Sequence, residues 1–205
     1  MSRIHRTLAI AAAAFGCALA VVDSKPAVDT ATLAKEIDSE RDHISALDLA
    51  ERIMHPGAAL RIFDLRTVAE SQQFHIPGSR QSTLEALARE ALPREATIIL
   101  YSEGGTHAAQ AWVLLRLRGY PTVFVLREGL YEWISRVMEP RLAIDATASE
   151  RAEFERAVPL SRFFGGSALA GVPRAEVPAG YWTGAPANGG QATQQKIAKI
   201  RRRGC

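Results

Sequence analysis

A short polar loop is the part of the sequence best suited to chemistry. It follows the apolar run 97–101 directly and consists of Ser102, Glu103, Gly104, Gly105, Thr106 and His107. Glycines let a turn curl so that successive backbone N–H groups point inward, and a helix that begins there adds its own unpaired N–H groups. At the carboxyl end of a parallel strand, such a turn forms a cradle for an anion. We therefore identify residues 102–107 as a candidate anion-binding loop.

The segments around this loop predict an α/β fold with a mostly parallel sheet of four or five strands. Apolar, β-branched runs predict strands at 60–65, 97–101 and 122–126. Ser45 is a predicted N-cap before the first of these strands, and between the strands Pro77-Gly78 is a predicted turn and Gly119 a predicted helix end. Helices are predicted at 29–43, 46–54, 83–91, 108–118 and 130–137. Strands that alternate with helices at this spacing indicate a layered structure with helices around the sheet.

The pattern weakens beyond Pro140. A short charged helix is predicted from Ser149 to residue 158. Residues 165–190 contain seven glycines and three prolines, which predict a loop or linker. The tail 196–203 carries five basic residues and no acidic one, and we expect a solvated end there.

The N-terminus has the features of an export signal. Arg3 and Arg6 precede an uncharged stretch, residues 7–22, which is shorter than the ~20 residues that span a bilayer. Ala18-Leu19-Ala20 fits a signal-peptidase site. We expect residues 1–20 to be a signal peptide and the mature protein to be periplasmic or in an equivalent compartment. The alternative is an uncleaved segment that anchors the protein to the membrane.

Cysteine and histidine usage excludes two common classes of site. Cys17 and Cys205 are the two cysteines, so a disulfide framework is not expected, and cleavage after Ala20 would leave Cys205 as the one thiol. The five histidines are scattered and none forms a metal-site pair. We expect no metal and no cofactor.

Across residues 44–138 the sequence resembles the rhodanese-like, or sulfurtransferase, domain family. The resemblance rests on the order and spacing of these motifs: the opening Ile44-Ser45 and Leu49-Ala50, then Asp64-Leu65-Arg66, Glu70, His75-Ile76-Pro77-Gly78, the loop 102–107, and Glu128-Gly129 with Trp133. It implies a three-layer domain with a parallel sheet of about five strands between helices. Residues 21–43 would then be a helical lead-in, and 139–205 a partly helical, partly irregular C-terminal extension.

The departures from the family pattern bear on the chemistry. Ser102 stands where the family has its nucleophilic cysteine, His107 where it has a loop arginine, and Glu128 where it has a glycine. Sulfur transfer needs a thiolate that attacks a sulfur donor and holds a persulfide, which a serine hydroxyl does not provide. A helix N-terminus disfavours a positive charge on His107, and Glu103 adds a negative one. The resemblance therefore predicts a degenerate active-site loop without the family's catalysis.

Other residues are assigned supporting roles. Asp64, Arg66, Glu70 and His75 are expected to organise the loops around the site through ion pairs and hydrogen bonds. A Ser102 nucleophile activated by His107, with Glu103 orienting the histidine, would require both within hydrogen-bond reach, and no G-x-S-x-G motif is present.

Three functions from different classes remain open. The first is an exported, non-catalytic module that binds a small anion, a persulfide or a protein. The second is an enzyme of sulfur metabolism in which Cys205, with its pKa lowered by the basic tail, supplies the thiol. The third is an interaction protein held on the membrane by an uncleaved N-terminus. Nucleic-acid binding is not expected, since basic residues cluster only in the tail.

Overall fold

A computed structural model describes residues 28–55 and 59–177, which form one five-stranded sheet, helices on both of its faces and a small second sheet. The strands are β1 His43–Ile44, β2 Leu60–Asp64, β3 Ser79–Gln81, β4 Thr97–Tyr101, β5 Val123–Leu126, β6 Arg141–Ala143 and β7 Leu169–Val172. The α-helices are α1 Thr30–Asp38, α2 Ala46–Met54, α3 Val68–Gln73, α4 Leu84–Arg89, α5 Thr106–Leu117, α6 Leu130–Glu132 and α7 Ala148–Phe163. A π-helix, Trp133–Met138, continues α6, and a 3-10 turn, Arg174–Glu176, follows β7.

The main sheet has the order β1-β5-β4-β2-β3, and all of its pairings are parallel. The predicted α/β fold with a mostly parallel sheet is therefore confirmed. Because every strand runs the same way, the segments that leave β2, β4 and β5 meet at one edge of the sheet. The loop 102–107 is the segment that leaves β4, at the centre of that edge.

Strand β4 is buried along its whole length because both faces of the sheet are covered. Ile99 and Tyr101 belong to the apolar cluster that α2, the π-helix and α7 cover. Ile98 and Leu100 belong to the opposite cluster, which α1, α4 and α5 cover. This alternation is the period of two that a strand imposes on its side chains.

Local signals place the helix starts where the sequence predicts them. The hydroxyl of Ser45 accepts the N–H of Asp48 at 3.1 Å and caps α2. The hydroxyl of Thr83 accepts the N–H of Ala86 at 3.1 Å and caps α4. Helix α5 ends before Gly119, whose φ of +84° is the left-handed conformation that favours glycine.

The N-terminal lead-in is shorter than predicted. Helix α1 covers Thr30–Asp38, and Leu33 is buried against the α5 side of the core. The guanidinium of Arg116 on α5 holds this helix through Glu36, at 2.7 Å between Nη2 and Oε1. Ile37, which helical spacing places on the apolar face with Leu33, is instead 47% exposed.

The C-terminal extension is more regular than the sequence indicates. The short helix predicted from Ser149 is α7, which has sixteen residues, is capped by Thr147 and runs past Pro159. The loop predicted from 165 onward contains β7, which pairs in parallel with β6. Both differences arise because residues of this extension pack against the main domain, a contact that local sequence does not encode.

Helix α7 is part of the domain core. Phe154, Ala157 and Leu160 are buried in the same cluster as α2 and the π-helix. The guanidinium of Arg156 reaches two acidic residues of α2, with Nε 2.6 Å from Glu51 and Nη2 2.5 Å from Asp48. These contacts fix α7 on α2, so residues up to Val177 extend the folded unit beyond residue 138.

Several predicted features lie outside the described residues: the export signal 1–20, the basic tail and Cys205. Within residues 28–55 and 59–177, no helix is long and apolar enough to cross a membrane.

We expect Leu160→Ala to lower the free energy of unfolding by about 3 kcal/mol, because it opens a cavity where α7 meets the core. Ile144→Ala is the matched control, since Ile144 is 75% exposed and should change stability by less than about 0.5 kcal/mol. Urea unfolding of both variants measures the difference. Equal, small losses would show that α7 is not part of the cooperative unit.

Candidate functional site

Ser102 forms the base of the candidate site. Ser102 is the first residue after β4 and is only 3% exposed. The Ser102 hydroxyl oxygen accepts the backbone N–H of Gly105 at 3.0 Å, which closes the turn. Gly105 has a φ of +93° and directly precedes α5, so a glycine is needed where the chain reverses into the helix.

The loop forms one wall of a cavity of about 290 Å³. Residues 102–104, 106 and 107 line this wall, and the rest of the lining is formed by residues 65–67 and 70, which follow β2. The first turn of α5 lies beside the cavity, so its N–H groups and the positive end of its dipole are close to any occupant. The predicted loop therefore borders a pocket of the size that holds a small group or one side chain.

The part of the pocket lining that follows β2 is held by a buried ion pair. Arg66 donates to Asp64 through Nε at 2.9 Å and through Nη2 at 2.5 Å, and its backbone N–H donates to the same carboxylate at 3.0 Å. Arg66 Nη2 also donates to the Phe74 carbonyl at 2.6 Å, and the Tyr101 hydroxyl donates to Asp64 at 2.9 Å. Arg66 thus lines the pocket with a guanidinium that Asp64 already neutralises.

Burial and partners perturb two groups of this network. Burial raises the pKa of Tyr101, whose ring packs within the core. Burial alone would lower the pKa of Arg66, but the hydrogen bonds and charge of Asp64 raise it above its ordinary value. Arg66 and Tyr101 therefore keep their protons across the physiological range.

Glu70 and His75 differ in their relation to the site. Glu70 lines the cavity and forms a capping box with Thr67, whose backbone N–H and hydroxyl donate to it at 3.1 and 2.7 Å. His75 is exposed and its Nδ1 lies 2.9 Å from the Ser71 carbonyl. The structure thus brings Arg66 and Glu70 to the cavity beside the loop, whereas Asp64 and His75 lie outside the cavity lining. Asp64 is connected to the site as the hydrogen-bond partner of Arg66.

The back of the loop rests on the turn after β5. The Leu130 N–H donates to the Ser102 carbonyl at 2.9 Å. A Cβ on Gly129 would lie 2.2 Å from that same carbonyl oxygen, so only glycine fits there. The preceding residue, Glu128, has a φ of +50°, a conformation that non-glycine residues seldom adopt. Sequence reasoning found Glu128-Gly129 as a motif but not their contact with the loop.

The arrangement does not provide an activated nucleophile. The hydrogen bond of the Ser102 hydroxyl is with the Gly105 N–H, and among the described residues none joins Ser102 to His107. His107 is exposed in the first turn of α5. Within the part of the chain that the structure describes, no group of three or more His, Cys, Asp or Glu residues is placed to hold a metal ion.

The sequence comparisons identify the domain that contains this site. Residues 45–136 match the family model described as the Rhodanese-like domain. A sulfurtransferase from Allochromatium vinosum is 29% identical over 103 residues, which are 49% of this chain and 89% of that protein.

Two solved structures are similar to part of this chain. The solution structure of a rhodanese-like domain from Anabaena is 29% identical, with a TM-score of 0.41, and the match covers 45% of this chain and 72% of that one. A human single-domain sulfurtransferase is 20% identical, with a TM-score of 0.40 and coverage of 45% and 95%. The family match assigns residues 45–136, which include the pocket and the loop 102–107, to the rhodanese-like domain family.

Proposed function

We propose that this protein is a non-catalytic rhodanese-like module that binds a persulfide or another small anionic group, presented by a partner, in the pocket beside residues 102–107. The observation that carries the proposal is the position of Ser102, buried at the base of the pocket and hydrogen-bonded to the Gly105 N–H. A nucleophile at that position would need to be a thiolate to take up sulfur. A serine hydroxyl retains the turn but does not form a stable persulfide.

Weak anion binding is consistent with the charges around the pocket. The attraction comes from the N–H groups and dipole of α5, since the Arg66 charge is balanced by Asp64. Glu70 and Glu103 also line the pocket and oppose an anion. We therefore assign the pocket to a group delivered by a larger partner, whose other contacts supply most of the affinity.

The protein should not transfer sulfur from thiosulfate to cyanide, and Ser102→Cys should raise activity at least about tenfold above background, because the helix N-terminus lowers the pKa of a thiol placed there. Ser102→Ala is the matched control and should stay inactive. The measurement is thiocyanate formation by the three proteins.

Activity in the natural protein would contradict the non-catalytic assignment. If that activity disappeared in Cys205→Ser, the thiol of Cys205 would be the carrier, as in the alternative in which this chain is a sulfurtransferase.

Thiosulfate is a suitable probe of the pocket itself. NMR titration should shift the backbone amides of residues 103–107, and His107→Arg should tighten binding about tenfold, since it adds one charge-assisted hydrogen bond to the anion. Ala109→Arg adds the same charge on an exposed position outside the lining and should have little effect. Shifts spread over other surfaces, or equal gains in both variants, would count against an anion site at this loop.

We also propose that the module acts outside the cytoplasm, after removal of residues 1–20. The support is the sequence of that segment, with two arginines, an uncharged stretch and Ala18-Leu19-Ala20. Mass spectrometry of the protein from its native cells should find an N-terminus at Val21 in the soluble fraction. An intact N-terminus in the membrane fraction would support the anchored alternative.

A further inference from the structure

Three consecutive residues, Gly129, Leu130 and Tyr131, contact the loop 102–107. Leu130 donates its N–H to the Ser102 carbonyl, and Gly129 has no room for a side chain because that carbonyl and the Glu103 carbonyl lie against it. The Tyr131 ring packs on Gly104, where an added Cβ would lie 3.5 Å from the ring. Any movement of this turn therefore moves the pocket wall.

The next residue, Glu132, attaches the turn to another helix. Its side chain is 3% exposed, and Oε2 accepts the backbone N–H of Ala46 at 3.2 Å. Ala46 is the first residue of α2, so the carboxylate lies at the positive end of that helix. Its other oxygen, Oε1, is 3.6 Å from Nε of Arg136 on the π-helix.

Ionisation of Glu132 is unfavourable at this buried position. Burial raises the pKa of its carboxyl group to about 7, against an ordinary value of 4.5. Arg136, Arg127 and the Ala46 N–H oppose that rise, and the neighbouring charge of Glu128 adds to it. Desolvation outweighs the favourable contacts, so the closed turn prefers the protonated carboxyl.

We propose that Glu132 is a positioning residue for the loop 102–107, and that its ionisation loosens the turn 129–132 on which the loop rests. The proposal deepens the proposed function, because it makes the shape of the binding pocket depend on pH. Its pH coupling is a property of the free protein and is measured without any ligand.

The direction of the effect follows from the two pKa values of the carboxyl group. When the turn opens, Glu132 meets water and recovers a pKa close to 4.5. Below that pH both states are protonated and the turn is at its most stable. Between about 4.5 and 7 the open state loses its proton first, so opening becomes more frequent as the pH rises. Above 7 both states are ionised and the effect levels off.

Hydrogen exchange of the Leu130 amide reports directly on this turn, because that N–H donates to the Ser102 carbonyl. After correction for the intrinsic exchange rate at each pH, its protection should fall on the order of a hundredfold between pH 4.5 and 7. In Glu132→Gln, which keeps an acceptor for the Ala46 N–H but does not ionise, protection should vary less than about threefold. The amide of Ile98, which donates to Thr122 within the sheet, is the internal control.

A pH dependence of Leu130 that persists in Glu132→Gln, or that is absent from the natural protein, would overturn the proposal. If Glu132→Gln does not fold, carbon NMR of the Glu132 carboxyl in the natural protein takes its place. Its titration midpoint must then lie near 7 and coincide with the end of the change at Leu130. These outcomes are separate from thiosulfate binding, so failure of the binding function leaves them interpretable.

Discussion

The buried pair between Asp64 and Arg66 is the interaction on which the site edge of the sheet depends. Arg66 also donates to the Phe74 carbonyl, so the pair ties the end of β2 to the segment before β3. The hydroxyl of Tyr101, at the end of β4, donates to Asp64, accepts the Ile76 N–H and is hydrogen-bonded to Ser79. Removing one partner would leave a buried charge unpaired at a cost of about 3–5 kcal/mol. The network therefore fixes the ends of two central strands before any ligand arrives.

Residue 102 has a small part in this arrangement. The loop is held from the front by the Gly105 turn, and from behind by the Leu130 N–H and the tight approach of Gly129. The Ser102 hydroxyl accepts the Gly105 N–H and completes the turn before α5. In the function proposed above, residue 102 decides whether sulfur chemistry is possible, while the contacts of Gly129 and Leu130 hold the loop in place.

The elements that sequence predicted well are those with strong local signals. The run 97–101 has the same bounds as β4, and Ser45 caps α2 as predicted. Thr83, predicted as the first residue of a helix, is the N-cap of α4. Past Pro140 the predicted charged helix exists but was made too short. It was ended at residue 158, before a proline that usually breaks a helix, yet α7 continues through Pro159. Leu160 follows the proline and is buried in the core, and that tertiary contact offsets the lost hydrogen bond. The pairing of β6 with β7 depends on similar contacts at long range, which spacing does not reveal.

The site shows the same division between local and distant causes. The motif residues Asp64, Arg66 and Glu70 were located by their order along the chain. The fold brings Arg66 and Glu70 to one pocket, and Asp64 binds Arg66 from outside the pocket lining. Glu132 carries no motif, and its environment comes from burial together with the first N–H of α2, which is 86 residues away in the chain. The ionised form of a buried carboxyl group is unfavourable when desolvation outweighs its charge partners, which for Glu132 are Arg136 and Arg127. Glu132 belongs to the turn 129–132, in which the Leu130 N–H donates to the Ser102 carbonyl. Through Leu130 and Glu132, the charge of a buried carboxyl group is linked to the position of the loop 102–107.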